Sequence, residues 1–361
     1  MTDIAFYAPM KAPTHATPSG DREMARGLMR AIGIGPGQAV LVSDLNSRDG
    51  KGNPERQRQI MAEAEADADR LITELKGSDI GAWITYHNYY KAPDLIGPRI
   101  ARALNIPYLQ IESTRARSRL DGPWAGFAQA AEVATDAADV VFYLTALDRL
   151  TLERDRPTDQ RLVHLRPFLP VDGLPPLPDK RANTVLSAGM FRAGDKLASY
   201  GIIAETLARL KAPDWRFEIA GDGPARAAVE ALMRPFGDRV RFLGQLDRDQ
   251  MQDAYRAAGI FLWPGVNEAY GMVYLEAQAA GLPVVAQDRP GVRDVLAPGS
   301  YPTPEEGPEA LAARLDALLA DDTARLEQGL LAQGHVAAHH LIGAASVCIW
   351  GALTPLMEGR S

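Results

Sequence analysis

Two glutamates with seven residues between them, Glu268 and Glu276, are the side chains whose spacing most directly suggests chemistry in this sequence. They lie in the segment 267–286, NEAYGMVYLEAQAAGLPVVA, in which Tyr270 and Gly271 open a predicted helix and apolar residues then recur at helical spacing. The glycine and proline within 281–283 are typical of a helix end, because glycine adopts the left-handed cap and proline does not continue a helix. The pattern predicts a loop that carries Glu268, a helix that carries Glu276, and a buried strand after it.

A helix of this kind can hold a nucleotide along its axis. The N–H groups of a first helical turn and the helix dipole bind phosphate. With a rise of ~1.5 Å per residue, Glu276 lies roughly 9 Å from the helix start, about the distance from a diphosphate to its ribose. We therefore predict that the backbone of Gly271, Met272 and Val273 binds the phosphates. Glu276 then accepts hydrogen bonds from the ribose hydroxyls, and Glu268 faces the group beyond the phosphate. The alternative is an amphipathic helix with two solvated glutamates, because this spacing also arises by chance.

In this loop–helix–strand context the two glutamates resemble the E-x7-E signature of retaining GT-B glycosyltransferases, in particular the bacterial members of family 4. The resemblance implies an α/β fold of two Rossmann-like, doubly wound domains that face a central cleft. It also implies an enzyme, a retaining hexosyltransferase, in which the first glutamate contacts the donor sugar and the second contacts the ribose. In such enzymes the base is held by backbone groups that correspond here to Leu243 and Gly244.

Length and composition are those of an ordinary globular protein of one large or two average domains, with 361 residues and a formal net charge of −7. The acidic balance is not the basic footprint of a nucleic-acid-binding protein. A single cysteine, Cys348, excludes an internal disulfide framework and a cysteine-based metal site. The first residues, MTDIAFYAPM, lack the basic and apolar regions of a signal peptide, and no run approaches the ~20 apolar residues of a membrane span. We therefore expect a cytoplasmic protein.

Strand and helix signals alternate along the chain and are interrupted by a proline-rich stretch. Residues 166–179, RPFLPVDGLPPLPD, contain five prolines, a composition typical of a stiff linker. We predict an N-terminal Rossmann-like, acceptor-binding domain at 1–168, a linker at 169–181, and a C-terminal Rossmann-like, nucleotide-sugar-binding domain at 182–340. In GT-B proteins a last helix crosses back to the N-terminal domain, and 341–361 is the candidate for it.

A predicted strand at 4–8, a loop at 9–20 and a helix from Asp21 open the chain. This succession is the first unit of a doubly wound sheet. The resemblance implies that such a loop lies under the donor phosphates, usually through two adjacent glycines, whereas this sequence has Ser19-Gly20. Gly20 as a phosphate contact and a plain loop are equally open interpretations.

His87 follows a predicted strand at 81–86 and is the histidine that we assign to the site. Open α/β sheets bind ligands at the carboxyl ends of their strands, and an imidazole can donate or accept a proton. The resemblance places a histidine near the donor sugar at this point, so we predict a catalytic role for His87 beside Glu268. A strand-end histidine with a structural hydrogen bond is the alternative.

Two cations, Arg192 and Lys196, follow the predicted strand 184–188 in a glycine-containing loop. Such a loop is a good anion cradle, because two flexible charges can neutralise a diphosphate as it leaves. The resemblance implies this role for both residues. The family's arginine usually follows the glycine directly, however, and Arg192 lies three residues after Gly189. A surface loop with ordinary charges is the alternative.

Two further charge patterns are interpreted as surface features. The segments 67–69 and 247–249 both match a metal-binding D-x-D, but the first lies in mid-helix with its aspartates about 200° apart. The second is better explained as a helix N-cap region. We therefore predict no metal ion and no cofactor. The arginines Arg115, Arg117 and Arg119 can face an anionic acceptor or membrane lipid, but we favour a solvated face.

The resemblance, carried by these residues, implies a metal-independent glycosyltransferase that transfers a sugar from a UDP- or GDP-linked donor to an acceptor hydroxyl with retention at the anomeric carbon. The acceptor is open among saccharides, lipid-linked acceptors and small molecules, as are peripheral contact with membranes and the oligomeric state. The alternatives are a sugar-nucleotide epimerase or a phosphorylase on the same fold, and a non-catalytic nucleotide-sugar-binding protein. A dehydrogenase is disfavoured, because no G-x-G-x-x-G follows a predicted strand.

Overall fold

The computed structural model describes residues 2–17, 19–177 and 182–359. The chain forms two compact units, of which the first comprises Met1–Arg166 and Ile342–Ser361 and the second comprises Pro167–Leu341. Residues 178–181 of the predicted linker and residue 18 of the loop before Gly20 lie outside the described residues. Each unit is built on its own parallel sheet.

The first unit alternates strands and helices. Its elements are β1 (Asp3–Tyr7), α1 (Gly20–Ile34), β2 (Ala39–Ser43), α2 (Pro54–Leu75), β3 (Ile80–Tyr86), α3 (Gly97–Leu104), β4 (Tyr108–Ile111), α4 (Ala125–Asp136), β5 (Val140–Tyr143), α5 (Ala146–Asp155) and β6 (Arg161–His164). The strands pair in parallel in the order β2-β1-β3-β4-β5-β6. The central strands are short apolar runs that are almost wholly buried, as a parallel sheet covered by helices requires. The predicted strands at 4–8 and 81–86 are confirmed to within one residue at each end.

A buried carboxylate, Asp94, fixes the loop that follows β3. Its Oδ1 accepts hydrogen bonds from the backbone N–H groups of Ile96 at 3.0 Å and Gly97 at 2.8 Å, at the start of α3. Its Oδ2 accepts from the hydroxyl groups of Thr85 at 2.5 Å and Tyr108 at 2.7 Å, which belong to β3 and β4. Burial raises the pKa of Asp94, although these hydrogen bonds oppose the shift. The network holds the loop against the neighbouring strands β3 and β4.

The second unit repeats the alternation with a smaller sheet. Its elements are β7 (Thr184–Ala188), α6 (Asp195–Leu207), β8 (Arg216–Ala220), α7 (Arg226–Met233), β9 (Val240–Gly244), α8 (Arg248–Ala257), β10 (Ile260–Leu262), α9 (Met272–Ala279), β11 (Val284–Val285), α10 (Gly307–Ala320) and α11 (Asp322–His339). The five strands pair in parallel in the order β11-β10-β7-β8-β9. Both sheets are therefore open and doubly wound, which confirms the predicted fold class of each unit.

The last helix, α12 (Ile342–Glu358), belongs to the first unit and packs against α1. The indole Nε1 of Trp350 donates to the carbonyl oxygen of Ile32 at 2.9 Å, which ties the helix to the end of α1. Within the described residues, no helix combines the length and the apolar character needed to cross a membrane.

Candidate active site

The loops that follow β7 and β10 lie where the strand order of the second sheet reverses. The two strands are neighbours, with β8 and β9 on one side and β11 on the other. Such a switch point leaves a crevice at the carboxyl ends of the strands, which is the usual ligand site of an open α/β sheet. The β7 loop carries Arg192, the first turn of α6 directly after it carries Lys196, and the β10 loop carries Glu268. The topology therefore brings the predicted cations and the first glutamate to one place.

Hydrogen bonds tie the β10 loop to the start of α6, the helix that follows the β7 loop. Asn267 Nδ2 donates to Asp195 Oδ2 at 3.0 Å, and the backbone N–H of Val266 donates to Ser199 Oγ at 3.1 Å. Asn267 has a φ of 51°, a left-handed conformation that asparagine tolerates better than most residues. This left-handed turn brings the next residue, Glu268, to the side chains of Trp263 and Lys196.

Glu268 forms an ion pair with Lys196 and accepts a hydrogen bond from Trp263. The Lys196 ammonium contacts Oε1 of Glu268, and the indole Nε1 of Trp263 donates to the same oxygen at 2.8 Å. The Lys196 Nζ also lies 5.3 Å from the centroid of the Trp263 ring. The side chains are only 13% exposed for Glu268 and 28% for Lys196, so the pair is shielded but open to a ligand. The sequence predicted Glu268 and Lys196 as site residues. It did not reveal the role of Trp263, because a tryptophan at the end of an apolar strand predicts only a core residue.

The helix start beside this pair is left without a side-chain cap. Gly271 is the N-cap residue of α9, and its φ of 72° is left-handed. A Cβ at this position would lie 2.7 Å from the ring of Tyr274 and 3.8 Å from Cγ of Glu268, so glycine is required and Glu268 borders the helix start. Among the described residues no side chain accepts from the first-turn N–H groups, which include those of Met272 and Val273. This arrangement suits an anionic group.

Gly291 packs its backbone against the loop of Glu268. Its φ is 81°, and a Cβ there would lie 1.9 Å from the carbonyl oxygen of Ala269 and 3.1 Å from that of Glu268. We expect Gly291→Ala to lower the free energy of unfolding by about 1–3 kcal/mol, through backbone strain and the steric conflict. Urea denaturation of the variant and of Gly299→Ala, where a Cβ meets its nearest atom at 3.6 Å, provides the comparison. Equal midpoints for the two variants contradict this account of the loop.

Glu276 lies about one turn into α9, where Tyr255 of α8 binds it. The Tyr255 hydroxyl donates to Oε2 of Glu276 at 2.9 Å. Burial raises the pKa of Glu276, while this hydrogen bond and the charge of Arg248 oppose the shift. Burial also raises the pKa of Tyr255 well above its ordinary value, so the phenol stays protonated and remains a donor. Tyr255 orients the glutamate, a role that its apolar position in the sequence did not reveal.

Three other predicted residues of the second unit lie at the ends of β7 and β9. Arg192 is exposed in the β7 loop, and no carboxylate among the described residues pairs with it. Leu243 and Gly244 are half-buried and end β9, with Gly244 at a φ of 73°. The carbonyl oxygen of Gly244 accepts from the N–H of Gly221 at 2.8 Å, so this carbonyl already serves the turn after β8.

His87 directly follows β3 in the first unit and lies near acidic groups. It has a φ of 66°, and its Nδ1 lies 3.5 Å from Oδ1 of Asp21. Burial disfavours the charged imidazole, but the charge of Glu112 and the contact with Asp21 outweigh it and raise the pKa of His87. The same contact lowers the pKa of Asp21. Gly20 directly precedes Asp21 as the first residue of α1, so the structure brings Gly20 and His87 to the same strand end.

Glu112 is the partner of His87 that sequence reasoning missed. It follows β4 with a φ of 57°, next to β3, and its backbone N–H donates to the carbonyl oxygen of Phe142 at 2.9 Å. Burial raises the pKa of its carboxyl group, against the charge of His87. The one feature of the sequence that could have identified Glu112 is its position directly after β4, the strand next to β3.

The prediction that the arginines at 115–119 form one solvated face is wrong. Each of the three side chains has a different partner. Arg115 is only 5% exposed and pairs with two acids of α4. Arg117 pairs with an acid at the end of α5, and the guanidinium of Arg119 lies 5.2 Å from the ring centroid of Tyr90. The acids are Glu132 and Asp136 for Arg115, and Asp155 for Arg117.

The two D-x-D segments occupy the predicted helix positions. In mid-α2, Asp67 accepts from Ser43 Oγ at 2.6 Å, whereas Asp69 pairs with Arg99. Asp247 is the N-cap of α8 and accepts from the N–H of Gln250 at 2.9 Å, which confirms the predicted cap.

Comparison with known proteins shows which families and folds the chain resembles. Residues 182–321 match the family described as "Glycosyl transferases group 1". The D-inositol 3-phosphate glycosyltransferase of Corynebacterium diphtheriae is 35% identical over 144 residues, which are 37% of this chain and 34% of that protein. The protein of the same name from Streptomyces bingchenggensis is 33% identical over 214 residues, which are 53% of this chain and 42% of that protein. The chain thus matches less than half the length of either relative.

Solved structures extend the comparison to the whole chain. The sucrose-phosphate synthase of Thermosynechococcus elongatus superposes with a TM-score of 0.70 over 100% of both chains at 18% sequence identity. At that identity the likeness concerns the fold alone. Residues 182–321 thus match the glycosyltransferase group 1 family, in a chain whose two Rossmann-like domains have the fold of the GT-B glycosyltransferases.

Proposed function

We propose that the protein transfers a sugar from a nucleoside diphosphate sugar to an acceptor hydroxyl. The observation that carries this proposal is the group at the start of α9: an uncapped helix N-terminus beside the paired side chains of Glu268 and Lys196. An anion site next to a carboxylate fits a donor whose diphosphate and sugar adjoin. The match of residues 182–321 to the glycosyltransferase group 1 family supports the same activity.

The donor diphosphate binds at the backbone N–H groups of Gly271, Met272 and Val273. Trp263 and Glu268 already hold the Lys196 ammonium at this place. An incoming diphosphate is a stronger anion than one carboxylate, so we infer that it draws the ammonium to itself. Oε1 of Glu268 then becomes available to accept from a sugar hydroxyl. The exposed Arg192 adds the second positive charge.

In the reaction, the bond between the anomeric carbon and the diphosphate oxygen breaks, and a bond to the acceptor oxygen forms. The acceptor proton passes to the departing diphosphate. Negative charge grows on that leaving group, and Lys196, Arg192 and the α9 N-terminus stabilise it without a metal ion. Retention at the anomeric carbon and a UDP- or GDP-linked donor rest on the resemblance to family 4. We assign binding of the donor's nucleotide base to the backbone groups of Leu243 and Gly244.

In the first unit, His87 and Gly20 are assigned to the donor side of the reaction. The raised pKa of His87 favours the charged imidazolium, which can donate a hydrogen bond to a sugar hydroxyl or a phosphate oxygen. Gly20, exposed at the start of α1, offers close backbone approach. We propose that the first unit binds the acceptor and that the second unit binds the donor. The proposed location of the reaction is the cytoplasm.

Nucleotide binding tests the ribose assignment. We expect Glu276→Gln to weaken binding of UDP or GDP by about tenfold, since a charged acceptor of ribose hydroxyl groups is lost. Tyr255→Phe should weaken it less, because only the orientation of Glu276 is affected. Isothermal titration calorimetry measures both, with the exposed Glu230→Gln as the control. Unchanged affinity in Glu276→Gln contradicts the assignment.

Product analysis separates transfer from the other reactions considered. A transferase converts donor and acceptor to a glycoside and a nucleoside diphosphate. An epimerase changes the donor without an acceptor, a phosphorylase requires inorganic phosphate, and a non-catalytic binding protein forms no product at all. The family match and the intact group at Glu268 and Lys196 favour transfer.

A further inference from the structure

Two aromatic side chains and two cations form a group in the first unit that is not part of the proposed donor site. Tyr90 and Trp124 meet edge to face, with ring centroids 5.8 Å apart. Lys91 Nζ lies 5.5 Å from the centroid of Tyr90 and 5.3 Å from that of Trp124, and the Arg119 guanidinium lies 5.2 Å from Tyr90. These four residues, Tyr90, Lys91, Arg119 and Trp124, are called the aromatic–cation cluster below.

The loop after β2 holds the cluster in place. The backbone of Asp49 accepts from Trp124 Nε1 at 2.9 Å and donates to the carbonyl oxygen of Lys91 at 2.8 Å. The carboxylate of Asp49 is directed away from the cations, since its oxygens accept from Gln57 Nε2 at 2.8 Å and from backbone N–H groups of its own loop. Three loops, those after β2, β3 and β4, therefore build a fixed surface at the carboxyl ends of their strands.

The charges of the cluster are not neutralised within the protein. No described carboxylate forms an ion pair with Lys91 or Arg119, which are held by ring faces. Other cations on aromatic rings, such as Arg149, 6.0 Å from the Tyr143 ring, have an acidic partner, which for Arg149 is Glu153. Arg239, 5.1 Å from the Trp215 ring, is an exception, since no described carboxylate forms an ion pair with it. In a chain of net charge −7, an unpaired pair of cations over rings indicates a place for an external anion.

The cluster is continuous with the predicted catalytic histidine. The ring centroids of His87 and Tyr89 are 5.0 Å apart, and those of Tyr89 and Tyr90 are 5.7 Å apart. A row of rings thus leads from His87 to Trp124 along the end of the sheet. Such a row offers flat apolar faces for the C–H surface of a sugar ring, while the cations bind a charged substituent.

We propose that the aromatic–cation cluster is the acceptor site and that it takes a saccharide carrying an anionic group, a phosphate or a carboxylate. This inference rests on the proposed glycosyltransferase function and adds to it the chemical class of the acceptor. The sugar ring lies against Tyr90 and Trp124, and the anionic group binds Lys91 and Arg119. The acceptor hydroxyl is then presented toward His87.

Saturation-transfer NMR on the full-length protein tests the class of ligand. Glucose, galactose and mannose are each compared with their 6-phosphate and their uronic acid, at two salt concentrations. We expect at least one anionic member to bind more tightly than its neutral counterpart, by about tenfold at low salt and less at high salt. Equal binding of neutral and anionic members, or binding of none, overturns the proposal.

Variants locate the binding. Lys91→Gln with Arg119→Gln is expected to abolish the preference for the anionic sugars, and Tyr90→Ala to weaken neutral and anionic sugars alike. Arg149→Gln is the matched control, a cation on a ring that has its own carboxylate, and it should leave binding unchanged. A preference that persists in the double variant, or falls equally in Arg149→Gln, places the anion elsewhere and refutes the assignment.

Two further measurements distinguish failure of the proposed acceptor site from failure of the proposed function and from binding to lipid. UDP and GDP are titrated into the wild type and the double variant. Nucleotide binding without preference for anionic sugars refutes the acceptor site alone, whereas absence of nucleotide binding refutes the proposed function. Sedimentation with vesicles of phosphatidylcholine, with and without phosphatidylglycerol, tests a lipid source of the anion. Binding to the anionic vesicles with no binding of any sugar overturns the saccharide assignment.

Discussion

The Glu268→Gln variant is expected to lose transfer activity by about 10²–10³-fold while its affinity for a nucleoside diphosphate changes by less than about threefold. The carboxylate lies at the start of α9, where the donor sugar is proposed to sit, and it also orients Lys196. An amide keeps the size and the contact with Trp263 but loses the negative charge. Activity therefore falls because the sugar and the ammonium are both misplaced, not because the nucleotide is absent.

Initial rates with the true donor and acceptor measure this effect, with calorimetry for nucleotide affinity. Glu205→Gln, an exposed glutamate of α6, is the control for the charge change. Near wild-type turnover in Glu268→Gln removes the carboxylate from the mechanism.

The second large effect is expected for Lys196→Met. This change removes the cation that meets the leaving diphosphate, so we predict a loss of about 10²–10³-fold in transfer rate. The nucleoside diphosphate should also bind roughly tenfold more weakly, since the ground state loses the same charge-assisted contact. The combination of a rate defect and a binding defect distinguishes this variant from Glu268→Gln. Steady-state kinetics and calorimetry measure the two quantities, and Lys211→Met on the exposed surface is the control.

The two substitutions should not be additive, because the side chains contact each other. Loss of Lys196 leaves Glu268 shielded and without its counter-charge, so part of the single-mutant defect reflects that carboxylate. We expect the double variant to be less impaired than the product of the two single effects. Full additivity shows that the ion pair has no part in the reaction.

The local elements of the site were predictable because each depends on neighbouring residues. The helical spacing after Gly271 and the stop at Gly281 define α9 from one short segment. The structure places a left-handed residue at Gly281, whose N–H bonds to the carbonyl oxygen of Gln278 at 2.9 Å, as the predicted helix end requires. The predicted helix start at Tyr270 and Gly271 is off by one or two residues, because Gly271 is the cap outside α9.

The partners of the predicted residues were not predictable, because they come from distant segments. Lys196 and Glu268 are 72 residues apart and were assigned to different parts of the donor. Tyr255 donates to Glu276, and the charge of Glu112 acts on His87. Both pairings depend on the order of strands in each sheet, which spacing along one segment does not reveal. Arg115 was misjudged for the same reason, since the acids that bury it lie on a later helix.

The position of a bound nucleoside diphosphate sugar tests the central claim most directly. Crystals of the protein soaked with UDP- and GDP-linked sugars should show the diphosphate within hydrogen-bond distance of the N–H groups of Gly271 to Val273. The ribose should lie against Glu276, and the sugar beside Glu268. Density for the nucleotide at another place, with the start of α9 left open, contradicts the account.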